Sequence, residues 1–197
     1  MSLVPAFEIG VWNAWIFVIA GLFLHMAPPM LATQFNAHLK KKFSEAPSDV
    51  YRNKNERIVN TISLAFLILL FIYTVSLPLK LGTAWFYTGL AVLLLAEIVY
   101  LTTIFPWAAT PVDEPVTKGI YCYSRHPIYL TMLFQLIGVG IATASWLFLL
   151  LTVVFMILFN NSVAPEERGC LEKYGEAYHQ YMNRTPRWIG LPKSEAK

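Results

Sequence analysis

Long apolar runs, almost free of charge, alternate along this chain with short polar segments rich in Lys and Arg. The runs fall near residues 10–28, 58–79, 84–105, 128–144 and 146–163. Each approaches the twenty or so apolar residues needed to cross roughly 30 Å of hydrocarbon. From Leu130 to Val163 the chain reads without charge. At about 1.5 Å rise per residue that stretch is too long for one ordinary span and long enough for a tight pair. A turn near Ala144-Ser145-Trp146 makes the pair a helical hairpin whose two ends return to one face. The pattern therefore predicts an all-α integral membrane protein with five transmembrane helices, residues 1–197 forming a single membrane domain. After the last run the period changes. Leu171, Tyr174, Tyr178 and Tyr181 fall on one helical face and Glu172, Lys173, Glu176 and Gln180 on the other, which predicts an amphipathic helix over Glu166 to Met182. It should pack back on the loop before the fourth span, with Pro186 ending it and Trp188 anchoring at the membrane interface.

Charge gives the orientation. With five spans, the loop from His38 to Arg57, the loop from Pro106 to Arg125 and the tail from Ala164 share one side and hold 14 of the 15 Lys and Arg; only Lys80 falls opposite. Basic residues collect in short cytoplasmic loops, so the N-terminus is expected outside and the C-terminus in the cytoplasm. Met1 to Ile9 lacks the basic residue of a cleaved signal. Hydrophobic residues make up 56% of the chain and charged ones 14%, as a bilayer-embedded protein requires. The net charge of +3, including Lys40-Lys41-Lys42, reads as contact with anionic headgroups; no nucleic-acid module accompanies it. Cys122 and Cys170 both fall on the cytoplasmic side without CxxC spacing, which argues against a disulfide and against a metal site.

Two polar motifs flank the predicted hairpin: Arg125-His126-Pro127-Ile128-Tyr129 before it and Glu166-Glu167 after it. Pro127 suits a first helical turn, where its missing N–H costs nothing. Arg125 with Tyr121, Tyr123 and Tyr129 can simply belong to the interfacial belt, and the two acids can simply favour a helix N-terminus. If the hairpin closes, however, both motifs meet at one surface. Carboxylates and aromatic faces together suit a nucleoside carrying positive charge. Within the spans, His25, Glu97 and Gln135 are polar groups in lipid; they either serve a function or satisfy one another inside the bundle. Gly138 and Gly140 fit close helix packing.

Gly119-Ile120-Tyr121, Arg125-His126-Pro127-x-Tyr129, the apolar hairpin, Glu166-Glu167, Tyr174-Gly175-x-x-Tyr178-x-x-Tyr181 and Arg184-x-Pro186 together resemble the isoprenylcysteine carboxyl methyltransferase family. The size resembles a minimal five-span prokaryotic, archaeal form. The resemblance implies transfer of a methyl group from S-adenosylmethionine, giving S-adenosylhomocysteine, to the α-carboxylate of a C-terminal prenylated cysteine or similar lipophilic carboxylate. It implies a cytoplasm-facing cofactor site formed by residues 106–129 and 164–190. Carried over by position, the cofactor residues are Tyr121, His126, Pro127, Ile128, Tyr129 and one or both of Glu166 and Glu167, with Asp113, Glu114, Pro115 and Val116 as backbone contacts. The chemistry asks for alignment and desolvation more than for a general base. Family members often carry an Arg shortly before the acidic pair; here that region reads Phe159-Asn160-Asn161-Ser162-Val163-Ala164-Pro165. Candidates to hold the substrate carboxylate are therefore Asn160, Asn161, Arg125, Arg168 and Arg184. The same C-terminal pattern is similar to that of NADPH-dependent sterol reductases, and a phospholipid amine is the next acceptor to weigh.

Overall fold

The computed structural model describes residues 9–44 and 53–193. The N-terminal octet, residues 45–52 of the basic loop with Arg52, and the last four residues with Lys197 lie outside the described residues. Among the described residues the architecture is helical: α1 (Trp15–Phe35), α2 (Ala37–Ser44), α3 (Lys54–Thr74), α4 (Ala84–Ala109), a 3-10 turn (Gly119–Cys122), α5 (Pro127–Ala142), α6 (Trp146–Tyr174) and α7 (Glu176–Arg184). Four of these, α1, α3, α4 and α6, are long and apolar enough to cross a membrane, while α5 is apolar but only 16 residues long. The first span lies further along than the sequence suggests, because α1 runs through Pro28 and Pro29 to Phe35.

Helices α4 and α5 pack at backbone contact, and glycine makes this possible. A Cβ on Gly89 would come within 2.3 Å of the Ala142 nitrogen and 2.6 Å of the Gly138 oxygen; one on Gly138 would meet Leu93 Cγ at 2.7 Å. Between α5 and α6 the chain reverses over Thr143 to Ser145, with Ala144 at φ 51° and the Ser145 hydroxyl accepting the Phe148 N–H at 3.2 Å as N-cap. A Cβ on Gly140 would meet Leu149 Cδ2 at 2.5 Å, and near the other end of α5 His126 Nε2 lies 3.1 Å from Glu167 Oε1 of α6. Near the turn, backbone bonds from Ala14 to Leu77, Leu79 to Trp12 and Lys80 to Ala142 close the connections tightly. The apolar core of Leu70, Leu77, Leu93, Leu136, Val139, Phe148 and Phe155 lies between that end and the polar one.

The polar end departs from the sequence expectation in one respect. No new helix begins after Pro165: α6 continues unbroken through it to Tyr174. Proline removes one rung of the ladder, but packing on both sides holds the rod. Arg168 pairs bidentately with Glu56 of α3 at 2.8 and 3.1 Å, and Ser162 donates to Asn60 at 3.3 Å. The break comes instead at Gly175, whose φ of 56° and ψ of −130° lie where only glycine is comfortable. Its N–H closes α6 on the Leu171 carbonyl at 2.8 Å, and α7 leaves from there. Tyr178 and Tyr181 then pack with Tyr121, as the amphipathic face predicts.

Candidate functional site

The site is organised around the start of α5. Ser124 accepts the His126 N–H at 3.1 Å, leaving Pro127 to open the helix at a position that needs no donor. The chain after α7 lies over this entrance. Arg125 N–H donates to the Pro186 carbonyl at 3.0 Å, Gly190 N–H to the Tyr123 carbonyl at 3.1 Å, and the Tyr181 hydroxyl to the Tyr121 carbonyl at 2.8 Å. The Trp188 ring stands 6.2 Å from the His126 ring.

The two acids have separate surroundings, because neighbouring residues of a helix point about 100° apart. Glu167 is buried. Arg187 reaches its oxygens at 2.6 and 3.2 Å, His126 Nε2 at 3.1 Å and Arg125 Nη1 at 3.1 Å. The hydrogen bond from Arg187 raises that guanidinium's proton affinity above its ordinary value. Glu166 instead accepts a hydrogen bond from the Tyr129 hydroxyl and faces open space. The Tyr129 ring lies parallel to that of His126 at 5.4 Å. Arg125 contributes a notable imbalance: its Nε and Nη1 are buried without a hydrogen-bond partner among the described residues, Nη1 being near Glu167 but out of line with it. Buried donors of this kind call for an acceptor.

These groups surround a cavity of about 260 Å³, close to the lower end of small-molecule pockets at roughly 300 Å³. Its wall takes Arg125 to Tyr129 from the α5 entrance, Glu166, Cys170, Lys173 and Tyr174 from α6, and Tyr178 and Tyr181 from α7. Pro115, Val116 and Tyr121 come from the preceding loop, with Trp107 of α4 and Lys42 of α2. Lys42 is only 6% exposed. Its ammonium donates to the Trp107 and Thr110 carbonyls at 2.6 and 2.7 Å and lies 5.0 Å from the Trp107 ring centre. Burial, and next the Lys173 charge, push its proton affinity below the usual lysine range. Burial pushes the Tyr121, Tyr178 and Tyr181 hydroxyls well above the ordinary phenol range, so they remain protonated donors.

Of the residues expected at a cofactor, Pro115, Val116, Tyr121, His126, Pro127, Ile128, Tyr129 and Glu166 stand on this wall. Asp113 and Glu114 are exposed and off it, and Glu167 lies behind it as the brace for Arg125, His126 and Arg187. Of the candidates for a substrate carboxylate, only Arg125 lines the cavity. Asn160 and Asn161 are exposed, with Asn161 bonded back to the Ile157 and Leu158 carbonyls. Arg168 is engaged by Glu56, and Arg184 is exposed. Sequence reasoning did not single out Lys42, Trp107, Cys170 and Lys173 on the wall, nor Arg187 beside Glu167. Lys42 was absorbed in a basic run read as headgroup contact, and Arg187 sat in a helix-ending motif with no signal of its partner.

The phospholipid methyltransferase (PEMT) family model matches residues 81–177. Among curated proteins the chain is similar to the protein-S-isoprenylcysteine O-methyltransferase of Schizosaccharomyces pombe, 31% identical over 77 residues, which cover 39% of this chain and 33% of the relative. It is also similar to the protein of the same name from Xenopus laevis, 31% identical over 88 residues, covering 39% of this chain and 26% of the relative. The matches thus span a third or less of the length of these curated relatives. The family match takes in α4, α5 and α6; Lys42, Arg187 and His25 lie outside it.

Proposed function

We propose that this chain is a multi-pass membrane methyltransferase. It uses S-adenosylmethionine to methylate the α-carboxylate of a C-terminal prenylated cysteine, or a similar lipophilic carboxylate, at the cytoplasmic face. The observation that carries this reading is the convergence of Tyr129, His126, Arg125 and Glu166 on one cavity, at the polar end of the apolar helices. The names of the relatives support it. In this arrangement α5 completes five spans, with the N-terminus outside and the cavity cytoplasmic, as the distribution of Lys and Arg favours.

The wall suits such a cofactor. Glu166 offers a carboxylate to a pair of ribose hydroxyls, and the Tyr and Trp faces suit an adenine and a positive centre. Arg125 and Lys42 are the cations for carboxylates, Arg125 through its Nε and Nη1, which make no hydrogen bond among the described residues. When bound, the cofactor supplies a sulfonium-linked methyl group: the acceptor's carboxylate oxygen forms the new C–O bond as the S–CH₃ bond breaks, giving an ester and a thioether with no proton to remove. The protein's part is to align the two reactants and to exclude water, which Ile128, Pro127 and Trp107 do by lining the cavity with apolar surface. Charge disappears in this step, and a low-dielectric site favours that.

A phospholipid amine is the second acceptor to consider, favoured by the description of the matched family. Calorimetric titration of S-adenosylhomocysteine and of NADPH into the detergent-purified chain tests the cofactor class. Selective binding of the former is expected, and selective binding of NADPH refutes methyl transfer. Radiolabelled methyl transfer to S-farnesylcysteine, against phosphatidylethanolamine, then decides the acceptor. Labelling of the amine alone overturns the carboxylate reading.

A further inference from the structure

Within the apolar layer, three polar side chains from three helices meet. Gln135 of α5 donates through Nε2 to Glu97 Oε1 of α4 at 2.7 Å and lies 3.1 Å from His25 Nε2 of α1. Glu97 Oε2 stands 3.6 Å from the same imidazole nitrogen. The three do satisfy one another, but only in part. Gln135 Nε2 is an amide nitrogen and can only donate, so the His25 Nε2 that lies 3.1 Å from it is the accepting nitrogen of a neutral imidazole. One amide NH₂ then serves two carboxylate oxygens and one ring nitrogen, so the cluster has more acceptors than donors. The nearby Tyr100 hydroxyl does not fill the gap, since it donates to the His25 carbonyl at 3.3 Å. Among the described residues no Lys or Arg pairs with Glu97.

The cluster borders a second cavity, of about 280 Å³, bounded otherwise by apolar side chains such as Phe17, Leu22, Phe71 and Met132. It lies between the packed α4–α5 pair and α1, whose apolar window has no buried residue. Ile128 borders both cavities. Gln135 lies seven residues further along α5, about 10 Å deeper at the helical rise. A polar cluster that only fastened helices together would need balanced donors and acceptors, as hydrogen-bonded helix contacts in lipid do. This one keeps an acidic edge open to an apolar, aromatic-walled space, the setting in which a buried amine head gains most.

We propose that this intramembrane cavity binds a lipophilic molecule through a hydrogen-bond-donating head, best a protonated amine, seated between Glu97 and His25 with its hydrocarbon along α1, α3 and α5. The proposal goes beyond methyl transfer and fails or survives independently of it. The test uses the full chain in neutral phosphatidylcholine nanodiscs, labelled with a dodecylamine that carries a diazirine near its chain end. Crosslinks are expected on peptides of α1, α4 and α5. Unlabelled dodecylamine should displace them at least tenfold more effectively than dodecyl methyl ether, which accepts but cannot donate. Glu97→Gln should reduce specific labelling at least tenfold, with thermal unfolding as the control for folding. Dodecanol competing as well as the amine still supports a donor site and identifies a hydroxyl as sufficient. Equal displacement by the ether, measured on the unaltered protein, overturns the proposal even if Glu97→Gln fails to fold, as does unchanged labelling of a folded Glu97→Gln variant.

Discussion

Replacing the two adjacent acids one at a time should separate stability from binding. The Glu167 side chain is 4% exposed and serves Arg125, His126 and Arg187 together. Removing one partner from a buried ionic network costs about 3–5 kcal/mol, because the remaining charges are left uncompensated. Arg187 is 37% exposed, so its share falls toward the ~1 kcal/mol of a surface pair. Arg125 and His126 are nearly buried and keep theirs. For Glu167→Ala we therefore expect a loss of roughly 3 kcal/mol in stability, with the binding site lost along with the α5 entrance. The Glu166 side chain is 41% exposed and faces the cavity, so Glu166→Ala should change stability by less than ~1 kcal/mol. Its loss should appear in binding: charged hydrogen bonds are worth about 1.5–3 kcal/mol, or roughly 10- to 100-fold in S-adenosylhomocysteine affinity. Thermal unfolding in detergent and calorimetry on both variants give the two readings. A Glu167→Ala protein that unfolds normally but no longer binds, beside a Glu166→Ala protein that binds normally, would reverse these roles.

Further outcomes follow from other contacts. Gly89→Ala puts a methyl group into the α5 backbone and should destabilise the chain by at least 1–3 kcal/mol, seen as a lower unfolding temperature; an unchanged value would mean that α4 and α5 are further apart than described. Lys42 must be charged to hold a carboxylate, and its lowered proton affinity, with Lys173 and Glu166 on the same wall, sets the direction. S-adenosylhomocysteine binding should weaken as pH rises, beginning below the ordinary lysine range of about 10.4, and Lys42→Arg should remove that alkaline loss. An identical pH profile for both proteins excludes Lys42 from anion binding. A cysteine introduced at Lys41 should react with membrane-impermeant maleimide only from the cytoplasmic side, and labelling from outside would overturn the topology.

The hydrophobic pattern located the helices because lipid-facing positions must be apolar whatever their neighbours. It misplaced their ends because a proline need not stop a helix: α1 runs on through Pro28-Pro29, and α6, held to α3 by Arg168 on Glu56 and Ser162 on Asn60, runs on through Pro165. The acidic pair was legible as chemistry. Which acid meets the cavity was not, since that depends on the rotation of α6 about its axis, set by Arg168 on Glu56 and by Ser162 on Asn60. Lys42 stayed hidden for a similar reason: adjacent lysines look alike in sequence, and only the docking of α2 on the end of α4 buries the third of them. Gly138 and Gly140 carried their meaning more openly, since small residues in apolar helices have few uses besides close approach, while their counterpart Gly89 on α4 emerged only from the packing.

In the five-span arrangement, the 16 residues of α5 measure about 24 Å, several ångströms less than a typical hydrocarbon layer. The leaflet around the α5–α6 pair must thin to meet it, at a modest cost for each ångström of mismatch. Lipids with short or unsaturated chains lower that cost and gather there, so the protein carries its own annulus of thinner bilayer beside the cavity mouth. Turnover should then respond to the acyl-chain length of the host membrane, and a membrane protein's activity becomes a gauge of the thickness of the bilayer it occupies.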